Sequence, residues 1–449
     1  MLSRLKRFAG LPNKLLGNIK LLRRDPELLG RNLLQFTNPA LFEQRLVDVL
    51  HAAPMHVRFE AHQDGPPRLN VLDTAWTKLG MTGGPNTVLN LAGRIAREGI
   101  AVRLVSTVHP PAIEPIWLRR HIGLLTGDDH LPEVPILSAA EANKPLLLGP
   151  KDVFLATHWT TAQQLKAVLP QLPVQEFFYM LQEFEPGFYP WSSNYARAIE
   201  TYDMDFWPIV NEAMLADYLF SQPLGRLSDP VIRNRAVVFE PAVDETLFHV
   251  GPDAASERPK RLLFYARPTN TRNMFGLGLM ALREIAADPA FKDWEFLSIG
   301  SRGSIPDVLR LGHGHVLRRA GWMDYAGYGD LLRQADLLLC PMLSPHTSYP
   351  VLEMAACGGV SVTNVFVTKT RGKLESLSRN IIAIEPTVAG FADGLLRGAQ
   401  EINANRPRLG ALNMARNWNT ALDPVARRVA EIARTICRTT MAEPLQVSR

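Results

Sequence analysis

The sequence predicts an α/β protein made of two Rossmann-like domains that face each other. Three observations carry this. Short apolar, β-branched runs alternate with helical stretches along most of the 449 residues, the pattern of parallel sheets with helical crossovers. Glu240 to Lys260, rich in proline, small residues and mixed charge, interrupts the alternation and reads as a linker. A strand–loop–helix–strand unit lies on each side of it, at Arg68 to Val105 and at Leu337 to Asn364. The expected organisation is a basic arm over 1–40, a first domain over 41–245, a second over 246–425 and a last helix over 426–449. Whether that helix returns to the first domain is left open.

In chain order, Leu41 to Phe59 reads as mixed helix and connector. A strand at Arg68 to Leu72 leads to a loop with Gly80, Gly83 and Gly84, a helix from Pro85 to Glu98 and a strand from Val102 to Val105. Glycines there let a ligand approach the backbone and leave helix N–H groups free. A tight turn explains them equally well, and their spacing is not the GxGxxG fingerprint. Asp152 to Ala156 is a strand ending before His158, with a helix from Thr161. Val174 to Met180 is another strand, leading into LQEFEPGFYPW, a loop dense in aromatics and carboxylates that suits either a sugar surface or a core. Met214 to Phe220 reads as a helix and Ala236 to Phe239 as a strand.

Beyond the linker, strands are expected at Arg261 to Tyr265, Trp294 to Ile299, Val316 to Ala320 and Asn380 to Ile384. Helices are expected at Met274 to Ala287, Tyr328 to Gln334, Lys373 to Leu377, Val388 to Ala404 and Pro424 to Thr435. The most informative unit is LLLCPMLSPHTSYPVLEMAACGGVSVTN. Leu337 to Cys340 forms a buried strand, and Pro350 opens a helix at no cost in hydrogen bonds. Glu353 falls in the helix's first turn, Gly358 and Gly359 end it, and a second strand follows. Such a layout puts phosphates on helix N–H groups beyond the strand's carboxyl end. Glu353 is then ionised and reaches a ribose hydroxyl, or it only complements the helix dipole.

Composition narrows the class. Hydrophobic content of 46% and charged content of 21% suit a globular protein. Cys340, Cys357 and Cys437 show no metal spacing, and the first two have apolar neighbours, as expected of core thiols in a reducing compartment. No run approaches the roughly 20 apolar residues of a spanning helix. The start, MLSRLKRFAGLPNKLLG, is broken by charge too often for a secretory signal. The net charge of +5 is uneven: Met1 to Phe36 holds eight Lys/Arg against Asp25 and Glu27, which is +6 and leaves −1 elsewhere. Interleaved leucines make this arm suited to an anionic membrane surface; a solvated helix or an unstructured lead-in are the other readings. No basic aromatic stripe continues into the body, so nucleic acid is not expected.

The Leu337–Asn364 unit resembles the nucleotide-sugar site of GT-B glycosyltransferases, most closely the bacterial polysaccharide rhamnosyltransferases (WsaF-like) of the retaining glycosyltransferase 4-type family. The resemblance is strongest over Leu262 to Ile384 and patchier over Leu69 to Glu240. It implies the GT-B fold, two facing Rossmann-like domains with a cleft between them. It also implies transfer of a sugar from a nucleotide donor, dTDP-rhamnose for this group, to a growing cell-surface or lipid-linked glycan. Another donor sugar, or nucleotide-sugar epimerisation on the same fold, is the alternative. The expected location is cytoplasmic, at the inner face of the membrane if the arm binds there.

The resemblance also assigns residues. FYARPTNTRN fits the loop where positive side chains neutralise the donor diphosphate in place of a metal, here Arg267 and Arg272. Ser344, Ser348 and Tyr349 supply donors near the phosphates, and Gly83 and Gly84 face the diphosphate across the cleft. Glu353 binds the ribose; Gly300, Trp322 and Met323 lie near the base; His158 stands near the sugar. Many relatives carry two glutamates eight positions apart, but Pro345 stands where the first would be, with His346 adjacent as a partial substitute. Asp203 and Asp205 form a DxD triplet without strand-end context. No metal or other cofactor is expected.

Overall fold

The computed structural model describes residues 54–442 apart from 64, 82, 252–257, 302–304, 322 and 405–406. The basic arm, the reading of 41–53 and Trp322 lie outside the described residues. Pro54–Arg449 forms one compact unit, and its elements run as follows. The first sheet system contains β1 (Val57–Phe59), β2 (Arg68–Asp73), α1 (Gly83–Arg97), β3 (Ala101–Ser106), α2 (Pro115–Thr126), β4 (Ile136–Ser138), β5 (Leu146–Leu148), β6 (Asp152–Ala156), α3 (Trp159–Val168), β7 (Phe177–Leu181), α4 (Ser193–Glu200), β8 (Phe206–Asn211), α5 (Ala213–Ser221), α6 (Pro230–Arg235) and β9 (Val237–Phe239). The second contains β10 (Arg261–Tyr265), α7 (Phe275–Ile285), β11 (Glu295–Ile299), β12 (Val308–Gly312), β13 (His315–Arg319), α8 (Tyr325–Arg333), β14 (Leu337–Leu339), α9 (Tyr349–Ala356), β15 (Val360–Asn364), α10 (Arg371–Leu377), β16 (Ile381–Ile384), α11 (Val388–Asn403) and α12 (Trp418–Ala442).

Each half is built on a seven-stranded sheet. The first has order β4-β3-β2-β6-β7-β8-β9, and every pairing is parallel. The second has order β12-β13-β11-β10-β14-β15-β16 and is parallel except for β12 at its edge. Strands covered by helices on both faces read as continuous apolar runs, and β6, β7, β14, β15 and β16 are buried at every position. In both sheets the order reverses direction next to the earliest strand, β2 or β10. Open parallel sheets bind ligands outside their carboxyl ends at such a point.

Several expectations need correction. Val57–Phe59 is a strand paired with Leu146–Leu148, not part of a helix. The last helix runs from Trp418 through Pro424 instead of starting there. An internal proline costs about 3 kcal/mol, yet Leu422 is fully buried and Trp418 packs against the same core, so burial offsets it. Leu422, Val425, Val429, Ile432 and Ile436 share that core with Leu89 and Ile95 of α1, so the last helix covers the first domain. Strand β8 went unread because Pro208 interrupts its apolar run, and proline argues against a central strand.

Buried charge occurs at both ends of the first sheet. At the strands' amino ends, Asp152 accepts from Arg68 at 2.7 Å, Asn70 at 2.9 Å and the Gly149 N–H at 2.6 Å. This network is closed within one domain and ties β2, β6 and the turn before β6 together.

Candidate active site

The carboxyl ends of the two sheets meet, and the expected donor residues lie where they do. After β10 the chain carries Arg267 and Arg272. After β14 it forms the loop Pro341–Ser348 and then α9. The two loops are joined by the Leu343 N–H, which donates to the Arg272 carbonyl at 2.8 Å. Asn364 exchanges two hydrogen bonds with the Met342 backbone, and Asn273 donates to the Pro341 carbonyl at 3.2 Å. Beneath them Lys369 is fully buried, its Nζ donating to the carbonyls of Met342 at 2.9 Å and His346 at 3.3 Å. Burial pushes Lys369 down to about 8 against the pull of Glu183 and Glu212. Sequence reading missed this lysine, which gives no signal beyond one charge in an otherwise ordinary turn.

Arg267 lies over the ring of Tyr265 at 5.9 Å, and its Nη1 donates to the Tyr265 hydroxyl at 3.3 Å. Gly300 makes room for this arrangement. It has φ of +86°, and a Cβ there would fall 2.8 Å from the Tyr265 ring and 3.3 Å from Arg267 Cγ. Arg272 stacks on Phe188 at 4.3 Å, donates to Asn270 at 2.8 Å, and sits 3.2 Å from the Glu183 carboxylate of the first domain. The Ser344 hydroxyl donates to the same carboxylate.

Ser348 precedes α9 with φ of +82°, a strained conformation for a residue with a side chain. Its N–H donates to His346 Nδ1 at 3.0 Å. That leaves Nε2 as the protonated nitrogen of His346, turned toward Glu212 at 3.7 Å. Tyr349 crosses to the first domain. Its hydroxyl accepts from Asn211 Nδ2 at 2.7 Å, and a Cβ added at Gly83 would lie 3.3 Å from its ring. Gly84 faces Gln182, 3.5 Å from such a Cβ. Gly83 and Gly84 thus begin α1 where the second domain touches it.

Glu353 differs from expectation. The helix starts at Tyr349, so Glu353 lies in its second turn, buried, with Tyr325 donating to one carboxylate oxygen at 3.2 Å and Tyr328 to the other at 3.0 Å. Burial raises its pKa to about 7 despite those hydrogen bonds. The expected ionisation by the helix dipole is outweighed, since a surface dipole contributes only about 0.3–1 kcal/mol. His158 caps α3, its Nδ1 pairing with Thr160 Oγ1 at 2.8 Å, and burial lowers its pKa to about 4. Met323 packs near Gly327 just before α8.

The first domain supplies residues that sequence reading did not single out for this site. Glu183 follows β7, and Glu212 follows β8. Glu212 has φ of +79°, and its carboxylate accepts from the Thr347 N–H at 2.7 Å and hydroxyl at 2.9 Å. A carboxylate therefore does reach the loop where Pro345 replaces an acid, but from the opposite domain. Glu185 accepts from the Trp159 N–H at 2.6 Å, and burial pushes it up to about 8. Glu212 Oε2, Asn211 Oδ1 and Gln182 Oε1 are buried without a hydrogen-bond partner among the described residues. Buried polar atoms are usually paired, and these three acceptors of the first domain are exceptions.

Asp205 lies elsewhere, before the amino end of β8, in ion pairs with Arg235 at 2.8 Å and Arg226 at 3.3 Å. Among the described residues no three His, Cys, Asp or Glu side chains converge to hold a metal, and no helix is long and apolar enough to cross a membrane.

Comparison with known proteins gives the family and the fold. The WsaF N-terminal domain matches residues 68–211 and the WsaF C-terminal domain residues 260–396. The O-antigen biosynthesis protein RfbC of Myxococcus xanthus is 32% identical over 293 residues, covering 63% of this chain but only 21% of RfbC. Among solved structures, sucrose-phosphate synthase from Thermosynechococcus elongatus superposes with a TM-score of 0.50 at 11% identity, over 83% of this chain and 94% of its own. Alr3699/HepE of Anabaena, solved with UDP-glucose, gives 0.50 at 13% identity, over 84% and 98%. These two support the fold alone. With both its domains matched, this chain belongs to the WsaF family and has the GT-B fold.

Proposed function

We propose that the protein is a glycosyltransferase of cell-surface polysaccharide assembly, taking rhamnose from dTDP-rhamnose and passing it to a growing or lipid-linked glycan. The observation that carries the reading is that Arg272 and Ser344, from the loops after β10 and β14, both reach the Glu183 carboxylate, with Arg267 in the first of those loops, α9 opening after the second, and Glu353 in the second turn of α9. A nucleoside diphosphate matches that set. Guanidinium forks bind phosphate oxygens, helix N–H groups receive the rest, and a carboxylate accepts ribose hydroxyls. Relatives lend support: RfbC is an O-antigen biosynthesis protein, and HepE was solved with a nucleotide sugar.

In this reading Arg267 and Arg272 stabilise the charge that develops on the diphosphate as the sugar–oxygen bond breaks. No metal is needed for that neutralisation. The departing phosphate helps to take the acceptor's proton, and the configuration at the sugar carbon is retained. The carboxylates of the first domain receive acceptor hydroxyls. The +6 arm over 1–36 holds the protein at an anionic membrane surface.

A thermal-shift panel of nucleotide sugars tests the donor. A ligand that binds only the folded state raises Tm, by about 2.7 kcal/mol of stability at a hundredfold excess over Kd. The expected result is the largest shift with dTDP-rhamnose, followed by rhamnosyl transfer to a polysaccharide acceptor in the presence of EDTA. A larger shift with a different sugar replaces the donor, and no shift with any nucleotide sugar removes the reading.

A further inference from the structure

We propose that the loop after β7 carries an acceptor subsite, in which Trp191 and Tyr195 stack on a neutral sugar one or more units behind the reacting end of the glycan. The inference deepens the function proposed above and rests on it. The donor reading leaves the aromatics of LQEFEPGFYPW without a role. Three of its four rings are held against other parts of the protein. Phe184 is buried and meets Tyr218 edge-on at 5.1 Å. Phe188 lies against the Arg272 guanidinium at 4.3 Å, and the Tyr189 hydroxyl accepts from Trp159 Nε1 at 3.2 Å. Trp191 differs: it is 90% exposed, with φ of +39°. Its ring meets Tyr195 at 5.4 Å, and Tyr195 meets Phe184 at 6.5 Å. The rings thus run outward from the residue beside Glu183, buried at Phe184, half-buried at Tyr195 and exposed at Trp191.

A left-handed backbone is strained for a residue with a side chain, and such strain collects at ligand sites. An indole held in water gains no core packing to offset it. Stacked on a pyranose, the indole removes the sugar's apolar C–H face from water while the hydroxyls at the sugar's edge stay wet. A 6-deoxy sugar, with a methyl in place of a hydroxyl, offers more of that surface. Charge selects the occupant. From Leu181 to Ala196 the chain carries Glu183 and Glu185 and no Lys or Arg. That suits a neutral glycan and opposes an anionic lipid surface. Position selects the sugar. Trp191 is three residues from Phe188, so at most about 11 Å of chain separates it from the ring that touches Arg272. A glycan whose end reacts beside Arg272 reaches Trp191 within its first few sugars.

Equilibrium binding of rhamno-oligosaccharides of one to six residues to the full chain, without donor, tests this. Wild type, Trp191→Ala, Trp191→Tyr, Trp191→Leu and Trp191→Gly are compared. Wild-type affinity is expected to rise with length. The loss in Trp191→Ala is expected to grow with length, from little with the monosaccharide to about tenfold with four to six residues, the effect of one good aromatic contact. Trp191→Tyr, still flat, is expected to recover much of it, and Trp191→Leu, apolar but not flat, little. Trp191→Gly relieves the backbone, so it is expected to lose the same affinity without a lower Tm. Wild type that binds none of the series, or binds all lengths alike, overturns the proposal. So does a loss in Trp191→Ala that is equal at every length, or a Trp191→Gly whose Tm falls, which makes the ring a structural prop. Weaker binding of Trp191→Ala to phosphatidylglycerol vesicles, with oligosaccharide affinity intact, overturns it in favour of a membrane contact. Failure of the donor reading looks different: no nucleotide sugar raises the wild-type Tm, while oligosaccharide binding still depends on Trp191.

Discussion

The two domains bring opposite charges to the place where they meet. The first contributes carboxylates after successive strands, Glu183 and Glu185 after β7 and Glu212 after β8. The second contributes Arg267, Arg272 and Lys369. The carboxylates are neutralised in different ways. Glu183 faces a guanidinium and a hydroxyl. Glu185 accepts from a backbone N–H, and burial carries it to about 8. Glu353, an acid of the second domain, has two tyrosine hydroxyls and rises to about 7. On the proposed reading, the cationic side is the one for an anionic diphosphate, and the acidic side the one for a neutral, hydroxyl-rich acceptor. Burial also decides which acids are charged near neutral pH, more than position on a helix does.

The largest test removes the cation that joins the two sets. Arg272→Ala is expected to cost about 2–4 kcal/mol of transition-state stabilisation, the range for a preorganised charge stabiliser. Transfer kinetics measure it as a fall in kcat with donor KM less affected. Arg272→Lys keeps the charge but not the planar fork, and is expected to recover only part. A purely structural ion pair to Glu183 predicts a lower Tm with kcat unchanged.

Glu353 sharpens the comparison through pH. Its folded pKa of about 7 lies above the ordinary carboxylate value of 4.5. The folded state therefore binds the proton more tightly than the unfolded state between those values. Its contribution to stability is complete below about 4.5 and is lost as pH rises through 7. The difference is up to about 3 kcal/mol, at 1.36 kcal/mol per unit. Glu353→Gln is expected to remove that part of the pH dependence, so the variant gains on wild type from pH 5 to pH 8 in denaturant melts. Donor binding moves the other way: the variant is expected to bind about 1–2 kcal/mol more weakly, with a deficit that grows as wild-type Glu353 ionises. A deficit constant across pH 5–8 removes the ionised carboxylate from donor recognition.

How much of this was legible in the sequence follows from what sets each feature. Arg261–Tyr265 and Asp152–Ala156 read correctly to the residue, because buried parallel strands are uninterrupted apolar runs. The edge pair β12–β13 was only half seen. Its turn uses Gly312, His313 and Gly314 at positive φ, and β12 is mostly exposed and carries little apolar pattern. The Ser344–Glu353 stretch drew attention through local order, strand then loop then helix, whereas Arg267 and Arg272 were assigned by the family resemblance. Glu183, Glu212 and Lys369 were not assigned to the site, because their roles depend on which loops of the other sheet they meet. Pro208 hid strand β8, and with it the reason for Glu212 to stand at a strand's carboxyl end. His158 shows a second role that the sequence hides, because a strand-end histidine and a helix-capping histidine look alike until Thr160 and Thr161 are seen to close the cap.

The smallest expected effect belongs to the acidic triplet outside the meeting place. Asp205 stands at the amino end of β8, and Asn211 and Glu212 at its carboxyl end. Six residues of strand at about 3.3 Å each separate them by roughly 20 Å. Asp205 is half-exposed, 48% for its side chain, and its partners Arg226 and Arg235 are surface groups of the same domain. Exposed ion pairs are worth about 0–1 kcal/mol, and two partly redundant arginines place Asp205 within that range. Asp205→Asn is therefore expected to lower Tm slightly, to leave donor affinity and kcat unchanged, and to leave the response to EDTA unchanged. A metal-binding triplet would behave otherwise. The same substitution would abolish transfer, and manganese would restore activity to EDTA-treated wild type but not to the variant. That pattern would move the reacting centre to the far end of the first sheet, away from the arginines of the second domain.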